Sequence, residues 1–224
     1  MTILFDFDGT LHNTRRLYGQ AFRCAYAMLV REGFAPEKTY TDEEVSIYLG
    51  MTAPDMWNTF MPSLPQEMKE KAGAVIGREL IEGIRRGEAV LYDGIRPALQ
   101  VLKEQGHRLL VLSNCREAYM KAHRQALGLD EWFEDYFCGE TYDFCPKEQI
   151  FPFIRQRYPD SAYCMIGDRA SDIQVGLANG IPTIGCLYGF GEPEELSQAT
   201  QTVHAPAEIP AVIVQGTLEK AANP

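Results

Sequence analysis

Three short apolar runs in this chain stop at polar or acidic residues: Ile3-Leu4-Phe5 before Asp6, Leu109-Leu110-Val111-Leu112 before Ser113-Asn114, and Tyr163-Cys164-Met165-Ile166 before Gly167-Asp168. Runs this short and this apolar read as strands buried on both faces, and such strands belong to parallel sheets covered by helices. Helical patterns occupy the spaces between them. The spacing predicts helices over residues 96–105, 117–127, 146–158 and 171–178, another near 192–198 and a last one beginning at Pro206. Further strands are expected over 136–138 and 182–186. Strands that alternate with helices in this way form a mostly parallel sheet with right-handed crossovers. The expected class is therefore α/β, a Rossmann-like, doubly wound architecture.

From about residue 14 to residue 87 the alternation stops. Leu17, Ala21, Cys24, Ala25, Met28 and Leu29 recur at helical spacing, as do Met68, Ala72, Val75, Ile76 and Leu80, while Pro54, Pro62 and Pro65 punctuate shorter helical pieces. The chain thus divides into a core of residues 1–13 and 88–224 and an inserted all-helical domain over 14–87. Met56, Trp57, Phe60 and Met61 read as the interior of that insert. The final AANP reads as a loose tail.

In a doubly wound sheet, functional groups gather in the crevice outside the carboxyl ends of the strands. Those ends carry Asp6 and Asp8, Ser113 and Asn114, and Asp168 with Asp172, while Lys147 opens the helix before the third strand. Carboxylates brought together from separate strands repel one another unless a cation lies between them, and a few hard oxygen ligands suit Mg²⁺. Asp6 is placed to attack phosphorus. Asp8, two residues on, protonates the leaving oxygen and then activates water. Ser113 and the Asn114 N–H donate to phosphate oxygens, and Lys147 neutralises the charge that accumulates on them. Singly, each motif has an ordinary explanation: Asp8-Gly9 as a turn, Ser113-Asn114 as a helix cap, Lys147 as a solvated lysine. Their joint occurrence at strand ends is what points to phosphoryl chemistry.

The segments DFDGTL at 6–11, LSN at 112–114, Lys147 and GDRASD at 167–172 resemble, in order and spacing, the four motifs of the haloacid dehalogenase (HAD) superfamily. The likeness covers nearly the whole chain. The helical insert resembles the small cap of the phosphoglycolate phosphatase-like and β-phosphoglucomutase-like branch. The resemblance implies that Asp6, the main-chain carbonyl of Asp8, and Asp168 bind Mg²⁺, and that Asp172 supports the metal's waters or positions Lys147. Asp8 favours phosphoryl transfer, since dehalogenases proper lack the second aspartate. Asn13-Thr14 departs from the Asp-Ser or Asp-Thr of many relatives, which bears on substrate identity.

The expected activity is a Mg²⁺-dependent hydrolysis of a small phosphate monoester through an aspartyl-phosphate. The alternatives are a phosphosugar mutase or phosphotransferase with the same intermediate, and a non-catalytic interaction protein. Arg15 and Arg16, leaving the first loop, are the insert's candidates for meeting an anionic substrate, whereas Arg78, Arg85 and Arg86 read as solvated helix charges. His12 is expected to face solvent or the insert, and His107, His123 and His204 to lie at the surface. The loop Gly189-Phe190-Gly191 reads as turn-rich only.

Composition narrows the partners. A formal net charge of −10 with no basic run argues against nucleic acid, and no apolar stretch approaches the roughly 20 residues that span a bilayer. MTILFDFDGT has aspartates where a signal peptide needs a basic start and an apolar middle. Six dispersed cysteines read as reduced thiols. The expectation is a cytoplasmic enzyme, monomer or homodimer, whose partner is a small phosphorylated metabolite.

Overall fold

The computed structural model describes residues 1–160 and 162–216; the AANP segment lies outside them. Six parallel strands form one sheet: β1 (Thr2–Phe5), β2 (Arg108–Ser113), β3 (Asp135–Cys138), β4 (Tyr163–Gly167), β5 (Thr183–Cys186) and β6 (Gln201–Val203), in the order β3-β2-β1-β4-β5-β6. The direction of travel across the sheet reverses at β1, which opens a crevice at its carboxyl end. Asp6 follows β1 directly, Ser113 ends β2, and Asp168 follows β4. In register, Phe5 pairs with Val111 on one side and Ile166 on the other, so these three ends lie level.

The helices are α1 (Arg15–Arg31), α2 (Asp42–Ser46), α3 (Ala53–Phe60), α4 (Gln66–Arg85), α5 (Ile95–Glu104), α6 (Glu117–Leu127), α7 (Lys147–Arg157), α8 (Ala170–Asn179) and α9 (Ile209–Gly216). Their starts follow local chemistry. Thr41 and Glu44 close a capping box on α2, and Thr52 Oγ1 accepts from the Asp55 N–H at the head of α3. Pro152 inside α7 has no N–H to offer the carbonyl four residues back; Asn179 Nδ2 of α8 supplies a donor to that Glu148 carbonyl at 3.1 Å. This bond fixes α7, which carries Lys147, on α8, which carries Asp172.

One face of the sheet packs Ile3, Phe5, Val111 and Ile166 against α5, α6 and α9, while the other packs Leu4, Leu110, Leu112 and Met165 against α7 and α8. Helices α1 to α4 bury a cluster of their own, centred on Phe22, Tyr26, Leu29, Trp57 and Ala72. The two connections to this helical insert are paired: the Asn13 N–H donates to Val90 O (3.1 Å) and the Tyr92 N–H to Leu11 O (3.0 Å). No helix among the described residues is long and apolar enough to cross a membrane. The six cysteines are free; Cys115 and Cys138 sulfurs lie 3.8 Å apart as a thiol hydrogen bond.

Two expectations change. The helix near 192–198 is a single 3-10 turn, Pro193–Leu196, and the last helix begins at Ile209 after a 3-10 turn at Pro206–Glu208. Strand β6 carries no apolar run, since it is an edge strand in which only Val203 is buried.

Candidate active site

The crevice brings together Asp6, Asp168, Asp172 and Lys147, each at least 98% buried. Lys147 Nζ lies 2.8 Å from Asp6 Oδ1 and 2.6 Å from Asp172 Oδ1. Asp172 Oδ2 also accepts from the Arg169 N–H at 3.0 Å, so that carboxylate is held at both oxygens. Asp168 Oδ1 accepts from Thr10 Oγ1 (3.0 Å) and its Oδ2 from the Phe190 N–H (2.7 Å). Gly9, at φ +89, passes so close that a Cβ there would lie 2.1 Å from Asp168 Oδ2. The Gly189-Phe190-Gly191 loop therefore wraps this carboxylate, a role that its composition alone does not reveal.

Three carboxylates whose oxygens converge within 4.8 Å face one ammonium, which leaves negative charge unmatched. Burial, with the charge of Asp172, pushes the Asp6 carboxyl well above its ordinary range and that of Asp168 up to about 7. Burial works against the Lys147 ammonium, but Asp172 and Asp6 outweigh it and hold the charge in place. A hard divalent cation is the group that such an oxygen set fits, because it relieves the repulsion the lysine leaves.

Asp8 is oriented differently. Its Oδ1 accepts from Tyr119 Oη at 2.7 Å and from Thr14 Oγ1, and lies 3.2 Å from His12 Nδ1. Burial alone would raise this carboxyl; the hydrogen bond and charge of His12, with help from His123 and Thr14, bring it below the usual value. His12 is wholly buried, stacked on Phe7, and its ring centre is 4.4 Å from that of His123. His123 is equally buried, and burial together with His12 lowers its pKa to about 3. The surface placement expected for both histidines is thus corrected: an apolar pocket formed by Phe7 and Tyr119 takes them in. The run Leu11-His12-Asn13 carries no periodicity that announces this.

Ser113 is buried at the end of β2. Two core side chains clasp the loop between α2 and α3: Asn114 Nδ2 donates to Gly50 O (2.9 Å) and Arg169 Nη1 to Leu49 O (2.6 Å). Between insert and core lies a cleft of about 740 Å³, counted to its open mouth, with Asp8, Thr14, Asn114 and Tyr119 on one wall and Tyr18, Tyr48, Met56 and Trp57 on the other. Arg15 and Arg16 are exposed and do not line it; the Arg15 guanidinium sits 5.6 Å from the Phe190 ring centre.

Residues 1–180 match the haloacid dehalogenase-like hydrolases. The chain is 25% identical over 202 residues to pyrophosphatase PpaX of Listeria welshimeri serovar 6b, covering 88% of each protein. It is 32% identical over 114 residues to the phosphoglycolate phosphatase of Colwellia psychrerythraea, half of each chain. The crystal structure of a predicted phosphatase from Clostridium acetobutylicum superposes with a TM-score of 0.80 at 23% identity, over 95% of this chain and 97% of that one, and so shares the fold.

Proposed function

The chain belongs to the haloacid dehalogenase-like hydrolase family, and we propose that it is a Mg²⁺-dependent phosphatase that hydrolyses a small phosphate monoester through an acyl phosphate on Asp6. The reading is carried by Lys147 Nζ, set between Asp6 Oδ1 and Asp172 Oδ1 in a buried crevice that Asp168 completes. An ammonium at that place opposes the burial that favours a protonated nucleophile and meets the charge of an incoming phosphoryl group. Asp6 and Asp168, with the main-chain carbonyl of Asp8, would hold the cation, while Asp172 fixes Lys147. Bound there, the ion offsets charge on the transferring phosphoryl oxygens.

Asp6 Oδ attacks phosphorus as the bond to the leaving oxygen breaks, and Asp8 in its protonated form, which its lowered pKa makes the minor one in the free enzyme, gives that oxygen its proton. Ser113 and the Asn114 N–H receive the phosphoryl oxygens. Asp8, now a carboxylate, takes a proton from water as the water oxygen attacks phosphorus, releasing phosphate and restoring Asp6. Helices α1 to α4, residues 14–87, act as a cap over the core of residues 1–13 and 88–224 and exclude bulk water from these steps. Relatives named for pyrophosphate and for phosphoglycolate support a small phosphorylated metabolite as substrate.

The test is phosphate release from a panel of monoesters with Mg²⁺ and after EDTA treatment, with borohydride reduction of protein quenched during turnover. We expect cation-dependent release and reduction of Asp6 to homoserine, read by peptide mass spectrometry. Full activity in EDTA, or an active Asp6→Asn protein, contradicts the reading. Steady release of phosphate separates it from a mutase.

A further inference from the structure

The cleft above Asp8 has a chemical character that the phosphoryl site does not explain. Helix α4 turns Gly73, Ile76, Gly77 and Leu80 towards it, positions spaced to share one helix face. A glycine inside a helix costs about 1 kcal/mol relative to alanine. Neither glycine has the positive φ that would demand that residue, and a Cβ on Gly77 would meet nothing within 4 Å. Side chains are missing here where the helix has room for them, so the cleft keeps a bare floor.

Trp57 closes one side. It is 3% exposed and its Nε1 is a buried donor without a partner. A Cβ on Gly73 would lie 3.4 Å from that nitrogen, so the indole edge packs on the helix there and its N–H is closed off from the cleft. Aromatic rings of Tyr18, Tyr48, Tyr119 and Phe144 also line the space. The charged lining residues among those described are Asp8 and Arg116, and the Arg116 guanidinium is already 3.6 Å from Glu140 and 5.9 Å from the Phe144 ring centre. A second anionic group on the substrate would meet one carboxylate and a cation that is already matched.

We infer that the substrate's leaving group is an uncharged, ring-bearing alcohol, seated over the open Gly77 face of α4 among the aromatic rings that line the cleft. This rests on the phosphatase reading, which supplies the ester. A two-carbon carboxylate would leave the aromatic walls uncovered and would bring a second negative charge beside Asp8.

The experiment compares kcat/KM with Mg²⁺ for three esters, a purine nucleoside 5′-monophosphate, phenethyl phosphate and 2-phosphoglycolate, and for the anhydride acetyl phosphate, whose small leaving group needs no cleft. The ring-bearing esters are expected to exceed 2-phosphoglycolate by about 100-fold, the scale of burying one ring. Gly77→Leu fills the floor and is expected to raise KM for the ring-bearing esters at least about 10-fold, with a far smaller effect on acetyl phosphate. Preference for 2-phosphoglycolate, or Gly77→Leu affecting all four substrates alike, overturns the inference while Mg²⁺-dependent turnover of any of the three esters upholds the phosphatase reading. If none of the three monoesters is turned over, both fall.

Discussion

The Tyr119 hydroxyl donates to Asp8 Oδ1 across 2.7 Å, although the two residues stand 111 positions apart in the chain. Tyr119 belongs to α6 and Asp8 to the loop after β1, so the bond ties a core helix to the residue proposed as acid and base. Thr14 donates to the same oxygen from the connection into the helical insert. Burial and the Asp8 charge hold the Tyr119 phenol well above its usual range, which keeps it a donor.

Tyr119→Phe should therefore lower kcat far more than it changes KM. A hydrogen bond to a charged group is worth about 1.5–3 kcal/mol, so the expected loss is about 10- to 100-fold. With p-nitrophenyl phosphate, whose leaving group needs little protonation, the loss should shrink. Steady-state kinetics on both esters decide this, and an equal loss on each would show that Tyr119 only supports packing.

Gly9 and Gly33 share a left-handed backbone but differ in surroundings. At Gly33 (φ +77) a Cβ would meet nothing within 4 Å, whereas at Gly9 it would strike the Asp168 carboxylate. Gly33→Ala should carry only the conformational penalty of about 1–2 kcal/mol, a drop in Tm of about 2–8 °C, with turnover retained. Gly9→Ala should displace Asp168 as well and weaken the cation requirement's fulfilment, so activity at limiting Mg²⁺ falls at least about 10-fold. Thermal melts and Mg²⁺ titrations of activity separate the two; similar activity in both variants would remove Asp168 from the proposed metal site.

Asp6 and Asp168 hold protons to higher pH in the folded protein than in the unfolded chain, through burial first and the Asp172 charge second. Between the ordinary carboxylate range and about pH 7 the native state thus binds more protons than the unfolded one. Stability without metal should fall as pH rises through that window. Mg²⁺ binds the deprotonated carboxylates, so its stabilising effect should be greater at about pH 8 than at about pH 5. Scanning calorimetry with and without Mg²⁺ at both values measures it. A Tm gain that ignores pH would place the cation elsewhere.

What the sequence discloses here follows physical range. Asp6, Ser113 and Asp168 are legible because each ends a fully buried strand, where a polar residue has no packing reason to be. Lys147 and Asp172 follow from helix starts beside those strands. Tyr119, His123 and Phe190 are not legible: their roles come from contacts across more than 20 residues of chain, and each looks locally like an ordinary helix or loop residue. His12 misleads for a related reason, because a histidine beside a polar loop suggests exposure until Phe7 and His123 are seen to enclose it. Arg15 and Arg16 were the natural candidates for substrate contact by position along the chain, yet they are exposed and α1 turns Tyr18 to the cleft.

Leu11-His12-Asn13 and Val90-Leu91-Tyr92 run side by side as a short antiparallel ribbon, closed by two main-chain hydrogen bonds and a bridge between His12 and Leu91. Entry and exit of the insert are thereby sewn at one seam, and the core on the far side of it retains every residue proposed for the chemistry. A foreign helical bundle whose two ends arrive at ribbon spacing meets the same edge that α1 and α4 meet now. Under the proposed division of labour, recombination at this seam would exchange substrate choice as a cassette, provided that a threonine is kept at position 14 to donate to Asp8, so chimeras cut at Asn13 and Val90 are the natural route to new selectivity on this core.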